Sequence, residues 1–219
     1  MICATGKSGQ IGRFLSAEIT SINGRLTEEC WKNNSEIPIS SVVMHLAGIV
    51  GESNVLRDED YARKINIDGT LKLAKYVLNE SNAVFYFLSS SHVYQSSNFQ
   101  ISESGIVSPS TLYGRQKVEA EEGLLSIYQN HSGRLKILRI FSILNKGMKE
   151  GTLGSAIDNV ERKKIDNGDD VRDFLTAQQA AIICEKLARR NFIYPVVNVC
   201  TGVPTKIKDA ISRYIGITV

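Results

Sequence analysis

Tyr113 and Lys117 stand four residues apart in Tyr113-Gly114-Arg115-Gln116-Lys117. On a helix that spacing puts both side chains on one face, one turn apart. A phenol titrates near pH 10 when unperturbed, and a neighbouring ammonium favours the phenolate. The pair reads as a candidate acid/base, though a surface pair on a helix has the same spacing. A second cluster, Ser89-Ser90-Ser91-His92, closes the apolar stretch Phe87-Leu88. Hydroxyls at a strand end stand where open α/β sheets bind ligands, although a serine-rich turn has the same composition. His92 adds a group that titrates near neutrality, against the alternative of a space-filling histidine. The third cluster is Thr5-Gly6-Lys7-Ser8-Gly9-Gln10-Ile11-Gly12. Glycines so spaced permit a tight turn and let backbone N–H groups approach a pyrophosphate where a helix begins. A plain glycine-rich turn is the competing reading. The tripeptide Gly6-Lys7-Ser8 does not make a triphosphate-binding loop, because that motif needs a glycine where Met1 stands.

These groups need elements to hold them. Residues 2–4, 42–46, 84–89 and 135–141 read as buried strands, and 18–22 as a second strand after the glycine loop. Residues 58–79 and 111–129 carry apolar side chains at helical spacing, and 177–189 and 206–214 read as further helices. Alternating strands and helices imply βαβ units and a parallel sheet covered on both faces. Residues 1–144 then form the α/β core, and residues 145–219, more polar and richer in glycine at first, read as a smaller region interleaved with the last core elements.

Composition excludes several classes. The 219 residues carry 26 Lys+Arg against 23 Asp+Glu, a formal charge of +3, with no block of like charge to attract nucleic acid. At 42% hydrophobic and 22% charged, the chain has globular rather than disordered usage. The longest apolar run, 42–50, contains His45 and is too short to span a bilayer, and the N-terminus lacks a secretory pattern. Cys3, Cys30, Cys184 and Cys200 are scattered without metal-ligand spacing. They point to a reducing, cytoplasmic setting and to no metal.

Taken together and in this order, the motifs resemble the extended short-chain dehydrogenase/reductase family, of the NAD-dependent epimerase/dehydratase type that acts on nucleotide sugars. The resemblance rests on Thr5 to Gly12, on His45-Leu46-Ala47-Gly48, and on Asn66-Ile67-Asp68-Gly69-Thr70. It continues through Ser89 to Tyr94, Tyr113 to Lys117 and Leu138-Arg139-Ile140-Phe141, then Arg172-Asp173-Phe174 and Asn198-Val199-Cys200-Thr201-Gly202. It implies a Rossmann-type doubly wound parallel sheet with a small, abbreviated C-terminal substrate-binding region. By the same resemblance, Thr5, Gly6, Gly9, Gln10, Ile11, Gly12, Leu46, Ala47, Gly48 and Asn66 would line the cofactor together with Tyr113 and Lys117. Ser90, Tyr113 and Lys117 would be the catalytic triad. Tyr113 would move the proton, Lys117 would lower its pKa and hold the nicotinamide ribose, and Ser90 would bind the reacting oxygen. Ser91, Ser142 and Arg172 would face the substrate, the Arg172 guanidinium suiting a diphosphate.

The departures carry information. The 4,6-dehydratases of this family hold an Asp-Glu pair where Ser91 and His92 stand, so dehydration is not expected. His92 is instead a candidate second acid/base. Gln95 replaces a motif glycine, Ser142 an asparagine, and Gln179 an aspartate. No carboxylate ends the second strand, and Arg25 could meet a 2′-phosphate. That points to NADP rather than NAD, unless Arg25 is a solvated loop charge. The expected activity is that of a nucleotide-sugar epimerase or reductase, as a homodimer packed through 58–79 and 111–129 and serving polysaccharide synthesis. Its rivals are a non-catalytic dinucleotide sensor and a reductase of small carbonyl compounds. Family members commonly continue further than Val219, which implies an open pocket or one that a partner chain completes.

Overall fold

The computed structural model of the chain describes residues 1–22, 41–144, 168–190 and 192–215. Among these the strands are β1 (Ile2–Thr5), β2 (Thr20–Ser21), β3 (Val42–His45), β4 (Val84–Ser90), β5 (Leu135–Ile140), β6 (Ser142–Ile143), β7 (Val171–Leu175), β8 (Val196–Val199) and β9 (Pro204–Lys206). The α-helices are α1 (Glu52–Arg57), α2 (Glu59–Arg63), α3 (Thr70–Glu80), α4 (Leu112–Ile127), α5 (Ala177–Arg189) and α6 (Ile207–Ile215). Six strands form one parallel sheet in the order β2-β1-β3-β4-β5-β8. A small second sheet has the order β6-β7-β9.

Side chains alternate across a strand, so each strand of the main sheet feeds two cores. Cys3, Val43, Phe85, Phe87 and Ile137 pack with Leu73, Val77, Ala120 and Leu124 of α3 and α4. Ala4, Met44, Tyr86, Leu88 and Leu138 pack on the other face with Ala181, Cys184 and Ala188 of α5. Both faces are therefore covered, and the chain has a Rossmann-type parallel α/β fold.

Four details depart from the sequence reading. The glycine loop opens only a single 3-10 turn, Gly12–Phe14, rather than a long helix. Leu15 is already extended, and Leu15 and Ile19 drop into the α5-side core on the way to β2. The second strand is correspondingly brief, Thr20–Ser21 rather than 18–22. The helical stretch expected over 58–79 is broken by a π turn, Lys64–Gly69, between α2 and α3. Asp58 starts α2 by accepting from the Tyr61 N–H at 3.0 Å. The β6-β7-β9 sheet departs most, because its strands are only two to five residues long and just Phe174 and Leu175 of them are buried, too little apolar pattern to read.

Candidate active site

The chain runs from β1 outward to β2, then crosses to β3 on the other side of β1. Such a reversal opens a crevice at the carboxyl ends of the strands, the usual ligand position in open α/β sheets. The Thr5–Gly12 loop forms one wall. Gly6 has φ +69°, and a Cβ there would lie 2.6 Å from the Ala47 nitrogen, so only glycine fits. Gly12 is as constrained, since its Cβ would stand 2.2 Å from the Gly6 oxygen. Gly9 and Gln10 are exposed and Ile11 is half-buried, and the Gly9 N–H closes the loop by donating to the Gly6 carbonyl at 2.9 Å. The Lys7 ammonium donates to the Ile19 carbonyl and ties the loop to the approach to β2. Arg25, the residue bearing on cofactor choice, lies outside the described residues.

The floor of the crevice follows β3. Register places Thr5 beside His45, and the Thr5 hydroxyl lies 2.7 Å from His45 Nδ1. His45 Nε2 lies 2.9 Å from the Thr70 hydroxyl. Burial, reinforced by the Lys117 charge, pushes the His45 pKa down to about 3, so the ring is neutral and structural. Leu46 and Ala47 pack on opposite cores. Gly48 is held closely by the floor: a Cβ placed there would lie 3.0 Å from Asn66 Oδ1 and 3.9 Å from Lys117 Nζ. Asn66, expected to touch the cofactor, is instead buried with its amide used inside the protein. It accepts from the Ile49 N–H at 2.8 Å and donates to the Ile49 carbonyl at 3.0 Å and to Gln116 Oε1 at 2.9 Å. Asn66 belongs to the π turn Lys64–Gly69 and forms part of the floor of the crevice.

The opposite wall is the end of β4 and the start of α4. Ser90, Tyr113 and Lys117 are all buried and converge there. The Tyr113 phenol is pushed up to about 12 by burial, and a hydrogen bond with Ser90 partly opposes the rise. Lys117 donates to the Leu88 carbonyl at 2.9 Å and lies 4.6 Å from the Phe87 ring centre, against 5.9 Å from that of Tyr113. Burial lowers its pKa to about 8. The expected depression of Tyr113 by Lys117 is therefore not what the free protein shows: desolvation wins, and the phenol is held protonated. Ser91 and His92 form a 3-10 turn in which the Ser90 hydroxyl accepts from the His92 N–H at 3.2 Å. The His92 ring meets the Tyr113 ring edge-on at 5.6 Å. Desolvation and then the Arg172 charge hold its imidazole below the usual range, with Glu52 acting the other way.

Arg172 is exposed on β7 and 3.5 Å from Asp170, near enough to His92 to act on its charge. Ser142 sits half-buried on β6, paired in register with Phe174. Gln179 has a local task. It forms a capping box with Thr176 at the start of α5, its N–H donating to the Thr176 hydroxyl at 3.1 Å.

A buried polar network behind this wall escaped the sequence reading. Arg139 donates to Glu121 at 3.1 and 2.6 Å, and Ser89 also donates to Glu121. Arg139 donates further to the Tyr94 hydroxyl at 2.9 Å, and Tyr94 to Asn198 Oδ1 at 2.8 Å. The network joins β4, α4, β5 and β8. Ser89, Tyr94, Arg139 and Asn198 lie in the motifs quoted above, but nothing in residue order joins them, and Glu121, four residues after Lys117, belongs to none of those motifs.

A parallel sheet with a Ser-Tyr-Lys cluster at its switch crevice defines a dinucleotide-binding oxidoreductase class. The profile of the NAD dependent epimerase/dehydratase family matches residues 35–200. The chain is 30% identical to a GDP-6-deoxy-D-mannose reductase of Pseudomonas aeruginosa, over 94% of this chain and 76% of the other. Among solved structures it resembles RMD from Pseudomonas aeruginosa complexed with NADPH, with TM-score 0.79 and 25% identity over 94% of this chain and 79% of that one. A UDP-N-acetylglucosamine 4-epimerase from Methanobrevibacter ruminantium shares the fold, with TM-score 0.77 and 21% identity over 99% and 82%. The chain belongs to the NAD dependent epimerase/dehydratase family. Its residues fit a nicotinamide dinucleotide: Gly6 brings the loop main chain against Ala47 with no side chain between, and Gly48 lies beside the buried Lys117 ammonium.

Proposed function

We propose that the chain is an NAD(P)-dependent enzyme that reduces, or oxidises and epimerises, the sugar of a nucleotide sugar, with Tyr113 as acid/base. The observation that carries the proposal is the convergence of Ser90, Tyr113 and Lys117 on the crevice with the phenol held neutral. When bound, the nicotinamide supplies or accepts the hydride at a sugar carbon. In the reductive direction Tyr113 gives its phenolic proton to the oxygen that becomes a hydroxyl. The phenolate left behind is stabilised by the Lys117 ammonium, and the Ser90 hydroxyl steadies the reacting oxygen.

His92 enters as a second acid/base. Its ring stands edge-on to that of Tyr113 with centres 5.6 Å apart, and desolvation, then the Arg172 charge, holds its imidazole below the usual range. Arg172 would leave Asp170 to meet the substrate diphosphate. NADP as the favoured cofactor is supported by the relative described with NADPH. Homodimerisation through α2, α3 and α4, a cytoplasmic setting and a role in polysaccharide synthesis belong to the same proposal. Tyr61 and Leu125 are exposed apolar side chains on those helices.

The test is a purified-protein assay with NADH or NADPH and a panel of nucleotide sugars, including 4-keto forms, followed by absorbance and product stereochemistry. Turnover that vanishes in Tyr113→Phe is expected. Dinucleotide binding without turnover of any sugar would favour the sensor. Faster reduction of small ketones than of nucleotide sugars would favour the small-carbonyl reductase.

A further inference from the structure

Helix α4 carries Tyr113 and Lys117, and its first amides need acceptors from outside the helix. Thr111 accepts from the Gly114 N–H at 3.0 Å. The two preceding amides are taken by a residue outside every motif described above. Glu52 Oε1 accepts from the Leu112 N–H at 3.0 Å, and Oε2 accepts from the Tyr113 N–H at 2.8 Å. Both carboxylate oxygens are thus committed to consecutive amides, one of them belonging to the candidate acid/base itself. A carboxylate is the favoured partner for a helix start, because the amides and the helix dipole are positive there. Glu52 reaches this position from the first turn of α1, which Gly51 introduces with φ 88°.

The geometry points to Glu52 as a positioning residue for the reaction: its two-oxygen clamp fixes where α4 begins, and so where the Tyr113 hydroxyl stands against Ser90. The inference rests on the reading of Tyr113 as the acid/base. It goes beyond that reading by assigning a task to a side chain that touches no reacting atom. The Glu52 charge raises the His92 pKa, while desolvation and the Arg172 guanidinium of β7 lower it, so this coupling serves as a readout of where the carboxylate stands. A clamp of this kind depends on length as well as charge. Aspartate carries the same carboxylate on a stem one methylene too short to reach the two amides, and glutamine keeps one accepting oxygen without the charge.

Three variants, Glu52→Gln, Glu52→Asp and Glu52→Ala, are compared by steady-state kinetics, near-UV circular dichroism and NMR titration of the His92 ring. For Glu52→Ala the expected loss is roughly tenfold to a hundredfold in kcat, as for a misplaced reacting group, with KM for the nucleotide sugar within about twofold. Glu52→Gln should recover part of kcat. In both variants the His92 titration should move to lower pH. Unchanged kcat in a folded variant overturns the proposal. So does a fall in kcat that follows only the loss of folded protein while the His92 titration stays in place. If Glu52→Ala does not fold, Glu52→Gln decides. The titration needs no substrate, so an unshifted His92 refutes the coupling even if the nucleotide-sugar reading itself has failed.

Discussion

The wall of the crevice built by the Thr5–Gly12 loop is positioned by backbone, whereas the wall built by β4 and α4 is positioned by side chains. In the first, Gly6 and Gly12 allow main chain to press on main chain, and Gly9 and Gln10 stay exposed. In the second, Ser89, Glu121, Arg139, Tyr94 and Asn198 form one hydrogen-bonded chain, and Glu52 and Thr111 hold the helix start. The difference assigns the walls separate tasks. A surface that receives phosphates needs accessible N–H groups and no side chains in the way. A surface that transfers a proton needs one phenol oxygen held within a fraction of an ångström. The loop also opens a single 3-10 turn, so no long helix contributes its dipole to an anion there.

The strongest challenge to this contrast is Tyr113→Phe. It deletes one oxygen from the side-chain wall and touches nothing in the loop. Turnover should fall roughly 10²- to 10⁴-fold, the span of general acid–base contributions. Dinucleotide affinity, measured by fluorescence titration, should stay within about threefold. A variant that keeps most of its turnover would remove Tyr113 from the chemistry.

Next in size is Arg139→Met. Arg139 and Glu121 are both nearly inaccessible, with side-chain exposures of 8% and 5%. Removing one partner leaves Glu121 buried without its guanidinium, a loss of about 3–5 kcal/mol of stability. Urea unfolding should show it, and the double variant Arg139→Met with Glu121→Leu should regain part of the loss. If the single variant unfolds at the wild-type midpoint, the network does not hold this wall.

A third effect falls on the seam where the walls meet, at His45. Its folded pKa of about 3 lies below the ordinary histidine value, so the unfolded chain binds the extra proton first. Stability is therefore full above the unfolded pKa and is lost as pH falls toward the folded one. Between pH 7.5 and pH 5 this group alone should remove about 2 kcal/mol. Comparing urea midpoints of wild type and His45→Gln across that range isolates it. Parallel pH slopes in the two proteins would mean that His45 is not buried neutral.

The same contrast explains what could be read from residue order. Local spacing exposed the glycine loop, the Tyr113 and Lys117 pair and five of the six strands of the main sheet, all but β8, because each is written within a dozen residues. The clamp of Glu52 on Tyr113 spans 61 positions and the bond from Arg189 to Glu18 spans 171, so no local pattern announces either. Asn66 shows a subtler limit. Its motif was visible, yet it belongs to a π turn with its amide bonded to the backbone of Ile49, and periodicity carries no trace of that turn. The raised Tyr113 pKa was unreadable for a related reason. Spacing showed the nearby cation, while desolvation, the larger effect, depends on all that packs around the ring.

The smallest expected effect concerns the backbone wall, at Gly9. A Cβ there would lie 3.1 Å from the Gly6 oxygen, a tight contact that the loop can relieve by a few tenths of an ångström. Alanine also restricts the unfolded chain, a gain of about 0.4–1 kcal/mol that offsets the contact. The melting temperature of Gly9→Ala should therefore stay close to that of the wild type. The new methyl projects from the exposed part of the loop, where a dinucleotide phosphate would approach. Its dissociation constant for NADPH should rise roughly tenfold, equivalent to about 1.4 kcal/mol, while kcat at saturating dinucleotide is retained. That split is what a receiving surface predicts. If the variant loses stability and keeps its affinity, the loop is scaffold rather than receptor, and the two walls do not divide the work as proposed.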